Sequence, residues 1–331
     1  VVGVILDADG AVVRAPFQLN QEWQIDNERD FDIAATNDGG FAMVYADDDI
    51  SNLNRSDIRW ERFDANGDQT ESATVATETS AVDDLRDPAI SVDQTTNQSI
   101  VTYTFDDNGN EDILGNLISP NGIVGTTFDA AQNSANDDNI SDVAQLADGT
   151  YVVAYQEFDP SPGVEIEFQQ LAADGSKLGA FTEVGGPSGT QIEPKVAGLA
   201  DGGFVIVWTQ DSDIWAEIRK TDGTVATAAF NVTDSGDDEN EPDVVALPDG
   251  GFAVFWDNDS EDTGEARVFE ADGTPRAPTE TITPDGVTQT DVDVTSEGVA
   301  LFTWRDDGEI QGSAWDGRAD TLEIADVKAG L

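Results

Sequence analysis

The sequence predicts an all-β protein: a β-propeller of four-stranded antiparallel blades. Two recurring patterns predict it. The first is a short apolar strand that ends in an aromatic and follows a tight turn. It reads FAMVY at 41–45, SIVTY at 99–103, YVVAY at 151–155, FVIVW at 204–208, FAVFW at 252–256 and ALFTW at 300–304. The turn before it is NDGG at 37–40, ADGT at 147–150, ADGG at 200–203 and PDGG at 248–251, decayed to TTNQ at 95–98 and SEG at 296–298. The second pattern is an Asp-Gly or Asn-Gly turn between these strands. It appears in LDADGA (6–11), FDANGD (63–68), ISPNGI (118–123), LAADGS (171–176), RKTDGT (219–224) and FEADGT (269–274), with a shorter WDG at 315–317. Such dipeptides suit type I′ hairpins, whose two central residues both take φ > 0.

Each unit therefore holds two hairpins. The DGG turn joins strand a to strand b, and the DG turn joins c to d. In the clearest unit a is DVVAL (243–247), b is FAVFW (252–256), c is EARVFE (265–270) and d lies near APTETIT (277–283). A unit of roughly 50 residues cannot bury its own face, so its neighbours must cover it. Chained sandwiches compete with this reading, but they need roughly 100 residues each and Greek-key crossovers. No amphipathic helical stretch of useful length occurs.

The units run over 1–30 (partial), 31–87, 88–139, 140–193, 194–241, 242–290 and 291–331, within one domain. The last runs a, b and c before trailing off. Six blades closed by the N-terminal strands is the first expectation, and seven with one incomplete blade is the alternative. The chain opens with Val1 inside an apparent strand, which suggests a piece of a longer protein.

Charge narrows the partners. The 331 residues include 68 acidic against 15 basic ones, for a net charge of −53. Nucleic acid and anionic membrane surfaces are polyanions and are excluded as primary partners. No 18-residue apolar run is present, so no membrane span is expected. Without Cys or His, thiol chemistry, disulfides, zinc and the commonest general base are all missing. Such a composition fits a marine or halophilic protein whose acidic surface keeps it soluble.

The acids concentrate in particular loops. The b–c loops read ADDDISNLNRSD (46–57), FDDNGNED (105–112), QEFDPSPG (156–163), TQDSD (209–213), DNDSEDTG (257–264) and RDDGE (305–309). The d–a loops include IDNERD (25–30), AVDDLRD (81–87), ANDDN (135–139) and GDDENE (236–241). In an up-and-down blade both sets fall at the same end. Asp106, Asn108, Asn110 and Asp112 alternate as D-x-N-x-N-x-D, like the opening of a calcium loop, because a hard cation takes six to eight oxygens. The glycine spacing and the late Glu of an EF-hand are missing. Asp257, Asp259 and Glu261, with Asp262, form a second alternating cluster, Asp211 with Asp213 a third, and Asp47 with Asp49 a fourth. The competing reading is solvated turn acids.

The aromatics Tyr45, Tyr103, Tyr155, Trp208, Trp256 and Trp304 end strand b at one equivalent position. They read as core between blades rather than as a sugar-stacking ring. Trp23, Trp60, Trp215 and Trp315 break the repeat and are the better binding candidates if exposed.

The unit P-x-V-x-x-L-x-D-G-G-F-x-V-x-W occurs as EPKVAGLADGGFVIVW (193–208) and EPDVVALPDGGFAVFW (241–256). Followed by F-x-x-D-G-T, it resembles the repeats of large secreted bacterial proteins of the RTX, hemolysin-type calcium-binding class. The resemblance covers nearly the whole chain and is strongest from about 140 to 304. It implies an extracellular or cell-surface, calcium-linked, adhesin-like module and supplies no catalytic residue. The expected function is thus a non-enzymatic binding or structural propeller, stabilised by Ca²⁺ and engaging a glycan or another surface protein. The alternative is a carbohydrate-active propeller enzyme using Asp or Glu.

Overall fold

The computed structural model describes residues 2–6, 12–19, 27–48, 56–78, 83–131, 136–158, 163–186, 188–233, 235–283, 288–294, 299–306, 309–316 and 327–328. All regular structure among them is strand. A hairpin of β1 (Val2–Leu6) and β2 (Val12–Gln18) comes first. Sheet 1 follows, with β3 (Asn27–Ala35), β4 (Phe41–Asp48), β5 (Ser56–Phe63) and β6 (Gln69–Thr77). Sheet 2 has β7 (Asp83–Val92), β8 (Ser99–Asp107), β9 (Glu111–Ile118) and β10 (Phe128–Asp129). Sheet 3 has β11 (Asp137–Gln145), β12 (Tyr151–Phe158), β13 (Val164–Leu171) and β14 (Thr182–Glu183). Sheet 4 has β15 (Gln191–Gly198), β16 (Phe204–Gln210), β17 (Asp213–Arg219) and β18 (Val225–Asn231). Sheet 5 has β19 (Glu239–Ala246), β20 (Phe252–Asn258), β21 (Thr263–Phe269) and β22 (Glu280–Thr281). Sheet 6 has β23 (Thr288–Val294), β24 (Val299–Asp306), β25 (Glu309–Asp316) and β26 (Val327–Lys328).

Among the described residues these are six four-stranded sheets, each ordered a-b-c-d in sequence. The expected strands are all present. One expectation fails. Among the described residues the N-terminal strands do not complete the last sheet: β1 and β2 pair with each other. The chain's own C-terminal segment does so instead, with Gln311 opposite Lys328 and Gly312 opposite Val327.

The turns also differ from expectation. In the DGG and DG turns only the glycine has positive φ, as at Gly39, Gly67, Gly202 and Gly273, while the Asp or Asn before it does not. These are type I turns followed by a left-handed glycine. The Asp side chain supports that geometry: Asp222 Oδ1 accepts Thr224 N at 3.0 Å and Asp272 Oδ1 accepts Thr274 N at 2.9 Å. The second glycine of DGG is there for space. A Cβ on Gly203 or Gly251 would collide with the carbonyl of Arg219 or Phe269.

Two compact units divide the chain. One is Val1–Gly3, Phe17–Gln145 and Gly149–Glu183; the other is Val4–Pro16, Leu146–Asp148 and Val184–Leu331. In the first, Val44, Ile58 and Trp60 of sheet 1 share a core with Leu85, Ile90 and Val101 of sheet 2. The other face of sheet 2 packs Ile100 and Ile113 against Val143, Val153 and Tyr155 of sheet 3. In the second unit, Val207, Ile214 and Ala216 of sheet 4 meet Val254, Trp256 and Phe269 of sheet 5. The b-strand aromatics Tyr45, Tyr103, Tyr155, Trp208 and Trp256 are all at most 1% exposed, as the core reading requires. Each such burial contributes about 1.5–3 kcal/mol.

Strand a is an edge strand in every sheet, and it is guarded. A bulge interrupts it at the same place each time, between Arg29 and Asp32, Arg86 and Ala89, Asn139 and Ser141, Ile192 and Lys195, and Asn240 and Asp243. The bulge residues Asp30, Asp87, Ile140, Glu193 and Glu241 take φ of 46–58°, at about 1 kcal/mol or more each. Pro88, Pro194 and Pro242 follow three of them. Bulges and prolines block edge-to-edge pairing. A carboxylate staple then ties neighbouring a strands. Asp32 accepts Ile33 N and Ile90 N, both at 2.7 Å. Asp243 repeats this with Val244 N at 2.7 Å and Val292 N at 3.0 Å. Asp243→Ala should therefore lower unfolding free energy in urea by about 1–3 kcal/mol, the cost of an orphaned buried N–H. Asp243→Asn, which keeps an acceptor, should lose less; equal stability of all three proteins would refute the staple.

Candidate functional site

Strand order brings the b–c and d–a connections of each sheet to one end. Within each unit these ends touch. In the first, Glu111 N donates to Asp137 Oδ1 at 3.3 Å, and Arg86 pairs with Glu111. In the second, Asp259 N donates to Asp238 O at 2.8 Å and Asn240 Nδ2 donates to Asp259 Oδ2 at 2.7 Å.

The predicted calcium ligands are placed as follows. Asn108 and Gly109 both have positive φ, so 107–110 is a two-residue hairpin turn. Asp106 lies opposite Glu111 and Phe105 opposite Asp112. Successive residues of a strand point to opposite faces, so Asp106 and Asp112 lie on different faces of the sheet. Asp106 Oδ1 accepts Gly109 N at 2.5 Å, and Asn110 Nδ2 donates to Asp112 Oδ2 at 3.0 Å. Asp211 sits in a similar turn, with Asp213 opening the next strand. Asp257 is 6% exposed within β20, while Asp259 and Asp262 belong to the turn after it. Asp47 is buried and pairs with Arg59 at 3.1 Å. Asp49 lies outside the described residues. Among the described residues no three carboxylates converge as a metal would need. Trp60 is fully buried and donates to Ser99 Oγ at 3.1 Å, so it is core. Trp215 is half-buried, and the side chains of Trp23 and Trp315 lie outside the described ones.

A different acid cluster lies inside the first unit. On sheet 3, Asp138 is opposite Glu157 and Tyr155 is opposite Glu167. Asp138 is 1% exposed, Glu157 8% and Glu167 2%. Tyr155 Oη donates to Glu167 Oε2 at 2.9 Å. The Glu157 carboxylate lies close enough to Glu167 for the two like charges to repel. Asp138 Oδ1 is buried with no hydrogen-bond partner. Burial pushes the Asp138 carboxyl up to about 8, helped by the charges of Glu157, Asp112 and Asp137 and opposed by Lys177. Burial likewise pushes Glu167 up to about 8.

The fold does not need these acids. Register equates Asp138, Glu157 and Glu167 with Leu85, Phe105 and Leu114 in sheet 2, an apolar set. In sheet 4 the same places hold Gln191, Gln210 and Trp215, and in sheet 5 Glu239, Asn258 and Glu265. In sheet 1 the cation is built in, as Arg59 beside Asp47. Sheet 3 alone of these five puts three acids there. Both Asp138 and Glu157 fall in the acid-rich loops of the sequence, but only their register marks them as interior.

The second unit holds a cavity of about 370 Å³ between sheets 4 and 5. Phe230, Asn231 and Asp213 line it from sheet 4, and Arg267 and Phe269 from sheet 5. Arg267 lies 5.7 Å over the Phe269 ring and donates Nη1 to Val232 O at 2.8 Å. Its Nε has no hydrogen-bond partner. The sequence gives no local motif for this residue; only its place in the repeat singles it out.

No protein-family profile matches the chain, and no curated protein does. Solved structures do. A Hadza microbial sialidase matches with TM-score 0.65 and 11% identity, covering 94% of this chain and 71% of its own. The Aleuria aurantia lectin, solved with α-methyl-L-fucoside, matches with TM-score 0.54 and 11% identity, over 91% of this chain and 96% of its own. The Dos1 propeller matches with TM-score 0.51 and 12% identity, over 98% and 72%. Likeness at this identity shows the fold alone, and that fold is the β-propeller.

The buried acids carry a pH signature. Their folded-state values lie above those of an unfolded chain, so the folded protein holds protons that the unfolded one has released. Stability should therefore fall as pH rises from about 4 to about 8. Asp138→Asn with Glu167→Gln should flatten that slope in urea unfolding followed from about pH 5 to 9. Parallel curves for both proteins would show that these carboxyls are not the source.

Proposed function

We propose that the chain is a non-enzymatic binding or structural propeller module of a secreted or surface-attached protein. The observation that carries this reading is the cavity between sheets 4 and 5, whose wall mixes two aromatic rings with an arginine, an aspartate and an amide. Such a mixture of apolar and polar groups orients a ligand. The carboxyl pair best suited to acid–base work, Glu157 with Glu167, is 8% and 2% exposed, which keeps a substrate from reaching it. The likeness of the repeat to RTX-class proteins supports an extracellular, adhesin-like setting.

Calcium belongs to this proposal as a counter-ion of the acidic sheet ends rather than through the alternating motif at 106–112. Asp237, Asp238 and Asp259 gather at one such end, and a cation there would relieve like-charge repulsion. Ca²⁺ should then raise the melting temperature above that in NaCl of equal ionic strength, by about 2.7 kcal/mol of stabilisation at a hundredfold excess over Kd. Equal shifts in Ca²⁺ and NaCl would remove calcium from the account. Turnover of any member of a glycan panel would replace the binding module with an enzyme.

A further inference from the structure

The repeat acts as an internal control for the cavity. The position of Arg267 is held by Glu61, Asn116, Gln169 and Glu217 in sheets 1 to 4, each opposite the equivalent b-strand residue. Three of these side chains serve the fold. Glu61 accepts Tyr45 Oη at 2.9 Å, Asn116 accepts Tyr103 Oη at 3.1 Å, and Glu217 accepts Gly185 N at 3.0 Å and pairs with Arg219. Arg267 replaces them with a cation. In so acidic a chain Arg59, Arg62, Arg86, Arg219 and Arg276 all pair with carboxylates. Arg267 makes no ion pair among the described residues, and its guanidinium keeps an unmet donor. On the same wall Asp213 makes no ion pair among the described residues, and Asn231 is exposed, its Oδ1 accepting from Thr233 Oγ1 at 3.2 Å.

We infer that this cavity binds a neutral saccharide unit, held by Arg267, Asp213 and Asn231 through its hydroxyls and by Phe230 through its C–H faces, with the buried Phe269 backing the Phe230 ring. The inference rests on the binding-module reading and gives it a site and a ligand class. A sugar hydroxyl both donates and accepts, so one ring can meet the guanidinium and the carboxylate together. An anionic ligand would meet Asp213 and the field of a chain with net charge −53. A cation would meet Arg267. Phe230 and Phe269 lie 5.8 Å apart at 57°, forming an apolar corner. The volume is within the range of small-molecule sites.

The test is a chemical-shift titration of the whole chain with the methyl glycosides of neutral hexoses and 6-deoxyhexoses, with glucuronate and glycine betaine as charged probes. The expected result is binding of a neutral glycoside, with shifts at Thr233 and Gly273. Arg267→Ala and Asn231→Ala should each weaken it roughly tenfold or more. Asn231 is exposed, so its variant keeps the test open if Arg267→Ala fails to fold. Binding of glucuronate or betaine in place of the neutral glycosides would overturn the ligand class. Glycoside binding untouched by both substitutions would overturn the site while leaving a binding module. No binding by any probe would overturn the inference, and glycoside turnover would overturn the non-enzymatic reading beneath it.

Discussion

Each b-strand aromatic must keep its ring dry and its polar tip bonded. Tyr45, Tyr103, Tyr155, Trp208 and Trp256 are buried, and their tips reach Glu61, Asn116, Glu167, Gln210 and Glu265. Burying the ring contributes about 1.5–3 kcal/mol, and leaving the tip unbonded would cost about 1–3 kcal/mol. The two magnitudes are similar, so the ring is useful only with its acceptor. Burial of these rings thereby brings polar side chains into the interior, and several of them are acids.

Interior acids are expensive unless neutralised or paired. The sheets answer differently. Sheet 1 supplies Arg59, sheet 4 supplies glutamines, and sheet 2 avoids the problem at Leu85, Phe105 and Leu114. Sheet 3 retains carboxyls that hold protons. Sheet 5 places an arginine where sheets 1 to 4 carry amides or acids. The sheets share one frame, so such differences separate what the fold requires from what it merely tolerates. The acids at Asp138 and Glu157 and the guanidinium of Arg267 are the residues on which the frame makes no demand, while Glu167 serves as the acceptor for Tyr155.

Much of the frame was legible in the sequence, because an apolar strand with an aromatic end and a glycine turn leaves little freedom. Strands a to d of the unit containing Trp256 fall where the pattern puts them. The turn type was less legible: Asp-Gly fixes the glycine's positive φ but not that of the residue before it, as Asp222 and Asp272 show. The alternation at Asp106, Asn108, Asn110 and Asp112 does not put Asp106 and Asp112 on one face, for a related reason. Alternate residues share a face only along one uninterrupted strand, and the turn at Asn108 and Gly109 resets the parity. Asp138 and Arg267 were hidden because their meaning lies in cross-strand register, which turn geometry and bulges set.

The central claim is that the packing of sheet 3 creates acids that stay protonated near neutral pH, unlike the acids of the turns. Carboxyl-detected NMR of the folded chain through a pH titration addresses it directly. The account predicts that Asp138 and Glu167 change state near pH 8, while Asp222 and Asp272, held by Thr224 and Thr274, do so below the ordinary carboxylate range. Titration of all four together in the ordinary range would contradict it.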